Sequence, residues 1–355
     1  STQPKHQQLG LGYGSAFVYD SNLGSSWAGG IELLHSDQNL SIGYGTTVAI
    51  SSDRAIVGAP YEQSLGFNTG AAYVFERQPN GTWPEVVKLT ASDTGGGQYF
   101  GHIVDIDGDT IAVGSPISKV TAPGGSTFQP GAVFMFERQV DGTWLESAKL
   151  VASDAVNTPW FGNSVSLDGD RMLVGAYLDN EVATNAGAAY VFDRQPDGSW
   201  LETAKLTASD GDSFDAYGYD VALSGDFAIV GAWLDTDVLN TNGSAYIYER
   251  QPDGTWLEEP KLLSGNPTSN GRFGLSVAIF GDMAIVSAHQ TTIFDPIVFQ
   301  AGLVYRYARQ PAGGWLQVGT LSMPLATGEE YFGVDLAMDG QVGVAGAPRN
   351  DLQAN

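Results

Sequence analysis

Two phrases recur along the 355-residue chain, apolar residues alternate with period two between them, and tight-turn residues punctuate every unit. Together they predict an all-β fold, a six-bladed β-propeller of four-stranded antiparallel blades. The first phrase is an aromatic-Gly pair, at Tyr44-Gly45, Phe100-Gly101, Phe161-Gly162, Tyr217-Gly218, Phe273-Gly274 and Phe332-Gly333, with spacings of 56, 61, 56, 56 and 59 residues. The second is "ERQPNGTW", ending at Trp83, which returns with small changes at Trp144, Trp200, Trp256 and Trp315.

Each unit justifies its four strands in order. In "SVSLDGDRMLVGA" the apolar Val165, Leu167, Met172 and Val174 flank Asp168-Gly169-Asp170, which predicts two strands joined by a tight hairpin. "GAAYVFDRQPDGSWLETAKL" follows, with a third strand around Tyr190 to Phe192, a turn at Pro196-Asp197-Gly198 and a fourth strand ending at Leu206. In that turn Pro presets one dihedral, Asp tolerates the next position and Gly supplies positive φ. The motif holds an acid, a base, an amide and an indole, yet one copy per unit marks a structural hairpin whose Trp packs between blades. The blades span about 44–93, 100–154, 161–210, 217–265 and 273–323, and the sixth combines 332–355 with 1–37, where "SAFVYD" matches a third strand and Trp27 a turn Trp. A blade shared between the termini closes the ring, removes free sheet edges and makes 1–355 a single domain.

Composition narrows the function. Gly, at 46 residues, stands at about twice average usage, as many tight turns require. A net charge of −24, from 40 acidic against 16 basic residues, repels phosphate and anionic headgroups, which argues against nucleic acid and membrane surfaces as partners. The absence of Cys excludes disulfides and thiolate metal sites. No apolar stretch reaches transmembrane length, and "STQPKHQQLGLGYG" has no apolar signal core. The expectation is a mature extracellular or cell-surface protein whose export signal has been removed.

Phrases such as "FGHIVDIDGDTIAVGSP" and "GYGTTVAISSDRAIVGAP", followed by "GAAYVF", resemble the FG-GAP repeat of integrin α-subunit propellers and of bacterial surface proteins. The resemblance covers nearly the whole chain and implies adhesion or ligand binding through one face of the disc. Integrin-like propellers have seven blades, one more than this sequence supplies. Several members carry a calcium loop between the first two strands; here it has shrunk to "LDGDR" or "LSGDF", too short for the six to eight oxygens calcium takes. Calcium, the one cofactor considered, is placed instead at Asp210, Asp212 and Asp215 in "SDGDSFDAYG", whose spacing calcium loops tolerate. The Ser-Asp pair that recurs at Asp37, Asp93, Asp154 and Asp210 is predicted to cap a turn.

Loops joining the second and third strands vary while the frame repeats, as binding loops on a scaffold do. The residue closing the Gly-Ala phrase is Pro60, Pro116 (after Gly-Ser) and Pro348 in three units but Tyr177, Trp233 and His289, the last in the variant phrase Ser-Ala-His, in three successive ones. Tyr99, Trp160, Arg272 and Tyr331 stand just ahead of aromatic-Gly pairs. A ligand site is therefore predicted at Tyr177, Trp233, His289, Trp160 and Tyr99, with Asp179, Asp235 and Asp237 accepting hydrogen bonds from a protein or glycan ligand. The four histidines do not cluster and no nucleophile elbow is present, so the chain is expected to be a non-catalytic binding, adhesion or surface-assembly module, alone or as a subunit of a larger surface assembly. Alternatives are a lectin-like carbohydrate binder and a carbohydrate-active enzyme such as a sialidase-like glycosidase.

Overall fold

A computed structural model describes residues 14–19, 30–37, 43–93, 96–121, 127–155, 158–236, 243–265, 271–294, 297–323, 328–340 and 342–348. These residues are all-β, with no helix longer than a single turn among them, and the chain divides into two compact units, 1–150 and 151–355. Trp27, assigned above to a turn, lies outside the described residues.

In unit 1, Phe17–Val18 pairs with Ile31–Glu32 as a two-stranded ladder. Two four-stranded antiparallel sheets follow. One is Thr47–Ser51, Arg54–Ala59, Ala71–Glu76 and Glu85–Leu89; the other is Ile103–Asp107, Thr110–Ser115, Ala132–Arg138 and Trp144–Leu150. Unit 2 contains three more: Val165–Asp168, Arg171–Ala176, Ala188–Arg194 and Trp200–Leu206; Tyr217–Ser224, Phe227–Ala232, Ser244–Arg250 and Trp256–Glu258; and Phe273–Phe280, Met283–Ala288, Leu303–Arg309 and Trp315–Leu321. It ends in the ladder Leu336–Asp339 with Val342–Ala345. Strand order follows chain order in every four-stranded sheet, so each is an up-and-down meander.

The predicted turns form as their chemistry requires. Gln195 N–H donates to Ser199 O at 2.7 Å, Gly198 sits at φ 87°, and the Asp197 carboxylate accepts from the Ser199 amide at 3.0 Å and its hydroxyl at 2.6 Å. The same bonds recur at Asp141 and Asp253, while Trp83, Trp144, Trp200 and Trp315 are buried. Trp315 packs edge-on to Phe227 of the preceding sheet, with ring centroids 5.7 Å apart.

The two middle strands of each sheet are apolar almost throughout; in the middle sheet of unit 2 Ala228 and Val230 pack toward one neighbouring sheet and Ile229 and Ile247 toward the other, and all four are fully buried. The aromatic-Gly and Gly-Ala phrases form the joint between neighbouring sheets. A Cβ on Gly187 would stand 1.9 Å from the Tyr217 carbonyl oxygen, and one on Gly218 would stand 2.2 Å from that of Ala188. Both glycines also adopt positive φ, so close approach and backbone conformation each demand glycine. The accompanying aromatic turns inward against its own third strand, as Phe161 does on Tyr190 and Tyr217 on Tyr246.

Candidate functional site

In unit 2 the first strands of successive sheets lie side by side, and a polar chain crosses their starts. Ser164 donates its hydroxyl to Asp220 Oδ1 at 2.9 Å, and Ser276 donates to Asp220 Oδ2 at 2.9 Å. The amides of Val221 and Val277 donate to the same carboxylate at 3.0 and 2.9 Å. Ser276 Oγ in turn accepts from the Leu336 amide at 3.0 Å, beside Asp335.

The two carboxyls differ in setting. Burial pushes Asp220 up to about 6, and the negative charge of Asp335 adds to that rise against the lowering effect of its donors. Asp335 reaches solvent but is flanked by protein, and its partial desolvation also raises its pKa. All four donors converge on Asp220, whereas a backbone hydrogen bond from Leu336 is the one that lowers the Asp335 carboxyl against its desolvation.

At the same ends of these sheets the predicted aromatic residues assemble into a row. Trp160 meets Tyr177 edge-on at 5.6 Å, Tyr177 meets Tyr219 at 5.3 Å, and Tyr219 meets Trp233 at 5.6 Å. The Arg272 guanidinium lies 4.7 Å from the Trp233 ring centroid. His289 sits 6.0 Å from Tyr331 and is 4% exposed; burial, helped by the Arg272 charge, lowers its pKa to about 4, so the imidazole is neutral at pH 7. Its Nδ1 has no hydrogen-bond partner. Tyr177, Trp160 and Trp233 are half-buried, neither wholly covered by loops nor fully open.

The residue ahead of each aromatic-Gly pair adopts positive φ: Gly43, Tyr99, Trp160, Ala216, Arg272 and Tyr331. A turn explains the conformation, since each carbonyl accepts from the amide three residues on, as Trp160 does from Asn163. Glycine would satisfy that turn without strain, so bulky side chains at four of the six positions carry a cost of order 1 kcal/mol each that the turn itself does not require.

Other predicted site residues are placed elsewhere. Tyr99 belongs to unit 1, where it packs on Tyr61 at 5.6 Å. Asp179 is fully buried, bonded by Tyr190 Oη at 3.0 Å and Lys205 at 3.2 Å; Asp235 is likewise held by Tyr246 Oη at 2.9 Å and Lys261 at 2.7 Å. Asp237 lies outside the described residues. Asp210 is tied to Lys261 at 2.8 Å, while Asp215 turns inward to accept the Asp212 amide at 2.6 Å, and its burial raises it to about 6. Among the described residues no group of three or more His, Asp or Glu side chains is arranged to hold a metal ion, so the three aspartates proposed for calcium do not converge.

The residues missed from the sequence are Tyr219, Asp220 and Asp335. The signal was present: two positions after the aromatic-Gly pairs the chain reads Thr47, Ile103, Ser164, Asp220, Ser276 and Asp335, mostly polar residues where a strand begins.

The FG-GAP repeat matches residues 27–75, 83–136, 144–192, 200–248 and 256–305, and the chain belongs to that family of β-propeller repeats. Each match runs from a turn Trp position into a third strand, one strand out of phase with the sheets. No curated protein sequence matches the chain. Among solved structures, a protein from Lactobacillus plantarum superposes with a TM-score of 0.52 at 13% identity over 82% of this chain and 74% of its own. The periplasmic gluconolactonase of Pseudomonas aeruginosa does so with a TM-score of 0.52 at 13% identity, over 88% of this chain and 79% of its own. At that identity the likeness establishes fold alone.

The expectation of a non-catalytic adhesion or assembly module is corrected at this point, because the fold is one that a periplasmic gluconolactonase also uses. Contiguous motifs were the wrong signal. In this architecture each sheet contributes one or two side chains to the ends of the inner strands, so titratable groups meet in space without clustering in sequence.

Proposed function

We propose that the chain is an exported hydrolase acting on a small oxygenated ring, with sugar lactones the nearest substrate class. The observation that carries this reading is the Asp220 and Asp335 pair: Asp220 is anchored and buried, and Asp335 beside it reaches solvent yet is raised by partial desolvation, at the sheet ends that also carry the aromatic row. The likeness to a periplasmic gluconolactonase supports the substrate class and the exported location. Among the described residues no helix is long and apolar enough to cross a membrane, which is compatible with export.

Asp335, ionised, takes a proton from water as that water attacks the lactone carbonyl, and returns it to the ring oxygen as the C–O bond breaks, leaving a hydroxy acid. A raised pKa brings its basicity closer to neutrality, where proton transfer is most effective. Trp160, Tyr177 and Trp233 offer ring faces and edges against which a sugar ring packs.

The same proposal takes the chain as one six-bladed propeller, residues 1–355, with the half-units at its two ends sharing a blade. Exposed Val48 and Ile50 in unit 1 and exposed Val342 and Val344 in unit 2 support it, since such apolar strand faces are ordinarily covered by a neighbouring sheet.

Hydrolysis of gluconolactone and glucarolactone, followed by acid release at constant pH, tests the activity. Asp335→Asn should lower the rate at least about a hundredfold without changing the melting temperature. An unaltered rate in that variant, or no hydrolysis of either lactone above background, would sink the assignment.

A further inference from the structure

Arg272 is anomalous in three independent ways. First, it holds a long charged side chain at a positive-φ position where equivalent turns use Gly43, Ala216 or an aromatic residue. Second, none of the ion pairs formed among the described residues involves it, although the chain carries 40 acidic residues against 16 basic ones. Third, it is stacked on the face of Trp233, within the row that Trp160, Tyr177 and Tyr219 continue.

Stacking fixes the guanidinium plane while leaving the in-plane N–H donors on its edge, the arrangement that meets a carboxylate through two parallel bonds. The nearest titratable neighbour does not compete. His289 is buried and neutral, its protonation opposed by the Arg272 charge itself. Tyr219, whose hydroxyl feels the same guanidinium, keeps its proton because burial raises its pKa. A half-buried cation beside rings, without a protein anion, is complementary to an anion brought by a ligand.

We propose that Arg272 recognises a carboxylate on the ligand, so that this site selects acidic sugar rings over their neutral counterparts. The inference rests on the reading of this end of the sheets as the substrate site and narrows the substrate class to carboxylate-bearing sugar derivatives. Asp335, just ahead of its strand, acts on the ring with the anchored Asp220 behind it, whereas Arg272 engages a substituent. The net charge of −24 makes such selection dependent on this local cation, since the long-range field disfavours any anion.

The test compares galacturonate with its methyl ester, two ligands of the same ring that differ in one charge. Binding is followed by calorimetry and by quenching of tryptophan fluorescence, for which Trp233 and Trp160 are the expected reporters. The native chain should bind galacturonate about tenfold or more tightly than the ester, and added salt should erode the difference. Arg272→Gln should abolish the preference, bringing galacturonate down to the affinity of the ester; Arg272→Lys, which keeps the charge without the fork, should retain only part of it. Equal affinity for acid and ester in the native chain, a preference that survives Arg272→Gln, or binding of neither ligand would each overturn the proposal. Lactone hydrolysis separates this outcome from the activity itself: continued gluconolactone turnover beside an absent acid preference removes the role of Arg272 and leaves the hydrolase standing.

Discussion

Asp220 shows how a single side chain couples the inner strands to pH. Its carboxylate receives donors from Ser164 just ahead of one neighbouring strand and from Ser276 and Val277 on another, and its burial raises it to about 6 from an ordinary value of 3.8. The folded state therefore holds a proton more tightly than the unfolded chain. The sign follows: ionisation costs stability above the folded pKa, and that cost is relieved as pH falls from about 6 toward 3.8. A shift of this size corresponds to about 3 kcal/mol at most between the two limits. Denaturant unfolding at pH 7.5 and pH 5 is expected to show a gain in the native chain on acidification and a smaller one in Asp220→Asn. An identical pH dependence in the two proteins would mean that Asp220 titrates normally. The aspartate was hidden in the sequence because its partners lie 56 and 57 residues away, and no local motif announces a bond between repeats.

At the scale of the element, the Ser-Asp pair is a clamp and not a turn cap. Ser153 donates its amide and hydroxyl to Glu202, and Asp154 binds Lys205 at 2.5 Å, so Glu202 and Lys205 on one outer strand grip the Ser-Asp pair from two sides. The arrangement recurs at Ser209 with Glu258 and Lys261, and within unit 1 at Ser92 with Glu146 and Lys149. Period and residue types were legible: Glu-x-x-Lys stands in "LETAKL", "LEEPKL" and "LESAKL". The pairing was not legible, because sequence displays the period of a repeat but not which repeat answers which. In the fifth sheet Gln317 and Thr320 replace the pair, and Gly265-Asn266 stands in the sequence where Ser-Asp would, so both halves of the clamp are lost together.

Lys205 also reaches Asp179 and Glu181, and Tyr190 bonds both Asp154 and Asp179. Burial raises the Asp154 carboxyl, but bonds from Lys205, Tyr190 and Thr158 outweigh it and hold it below the usual range. Its contribution is therefore present at neutral pH and fades as pH falls through that lowered value. Lys205→Met should cost about 3 to 5 kcal/mol, since Asp179 would remain as a buried carboxylate without its cation. Thermal or denaturant melts at pH 7 measure this directly, and a loss under about 1 kcal/mol would show that Tyr190 and the Glu181 amide satisfy Asp179 without the cation.

At the scale of the whole molecule, the repeat spacing made the four-stranded sheets legible before any coordinate, whereas closure of the ring rests on half-units that each form only a two-stranded ladder. Residues before Thr47 already contribute to unit 1 on their own account. Ala16, Val18 and Leu33 are buried with Tyr44, Tyr73 and Trp83, Ser36 donates to Glu85, and Asp37 pairs with Lys88 at 2.6 Å. Deleting Ser1 to Asp37 therefore removes several kcal/mol of apolar burial from that unit whatever the wider architecture is. A ring closed by a shared blade adds a sharper expectation. The deletion would also leave the ladder from Leu336 to Ala345 as half a blade, so the entire chain should melt earlier in one cooperative transition and aggregate through the exposed strand edges. Scanning calorimetry of the native and truncated proteins decides it. Two transitions, of which only one shifts on truncation, would show that units 1–150 and 151–355 fold separately and that no blade is shared.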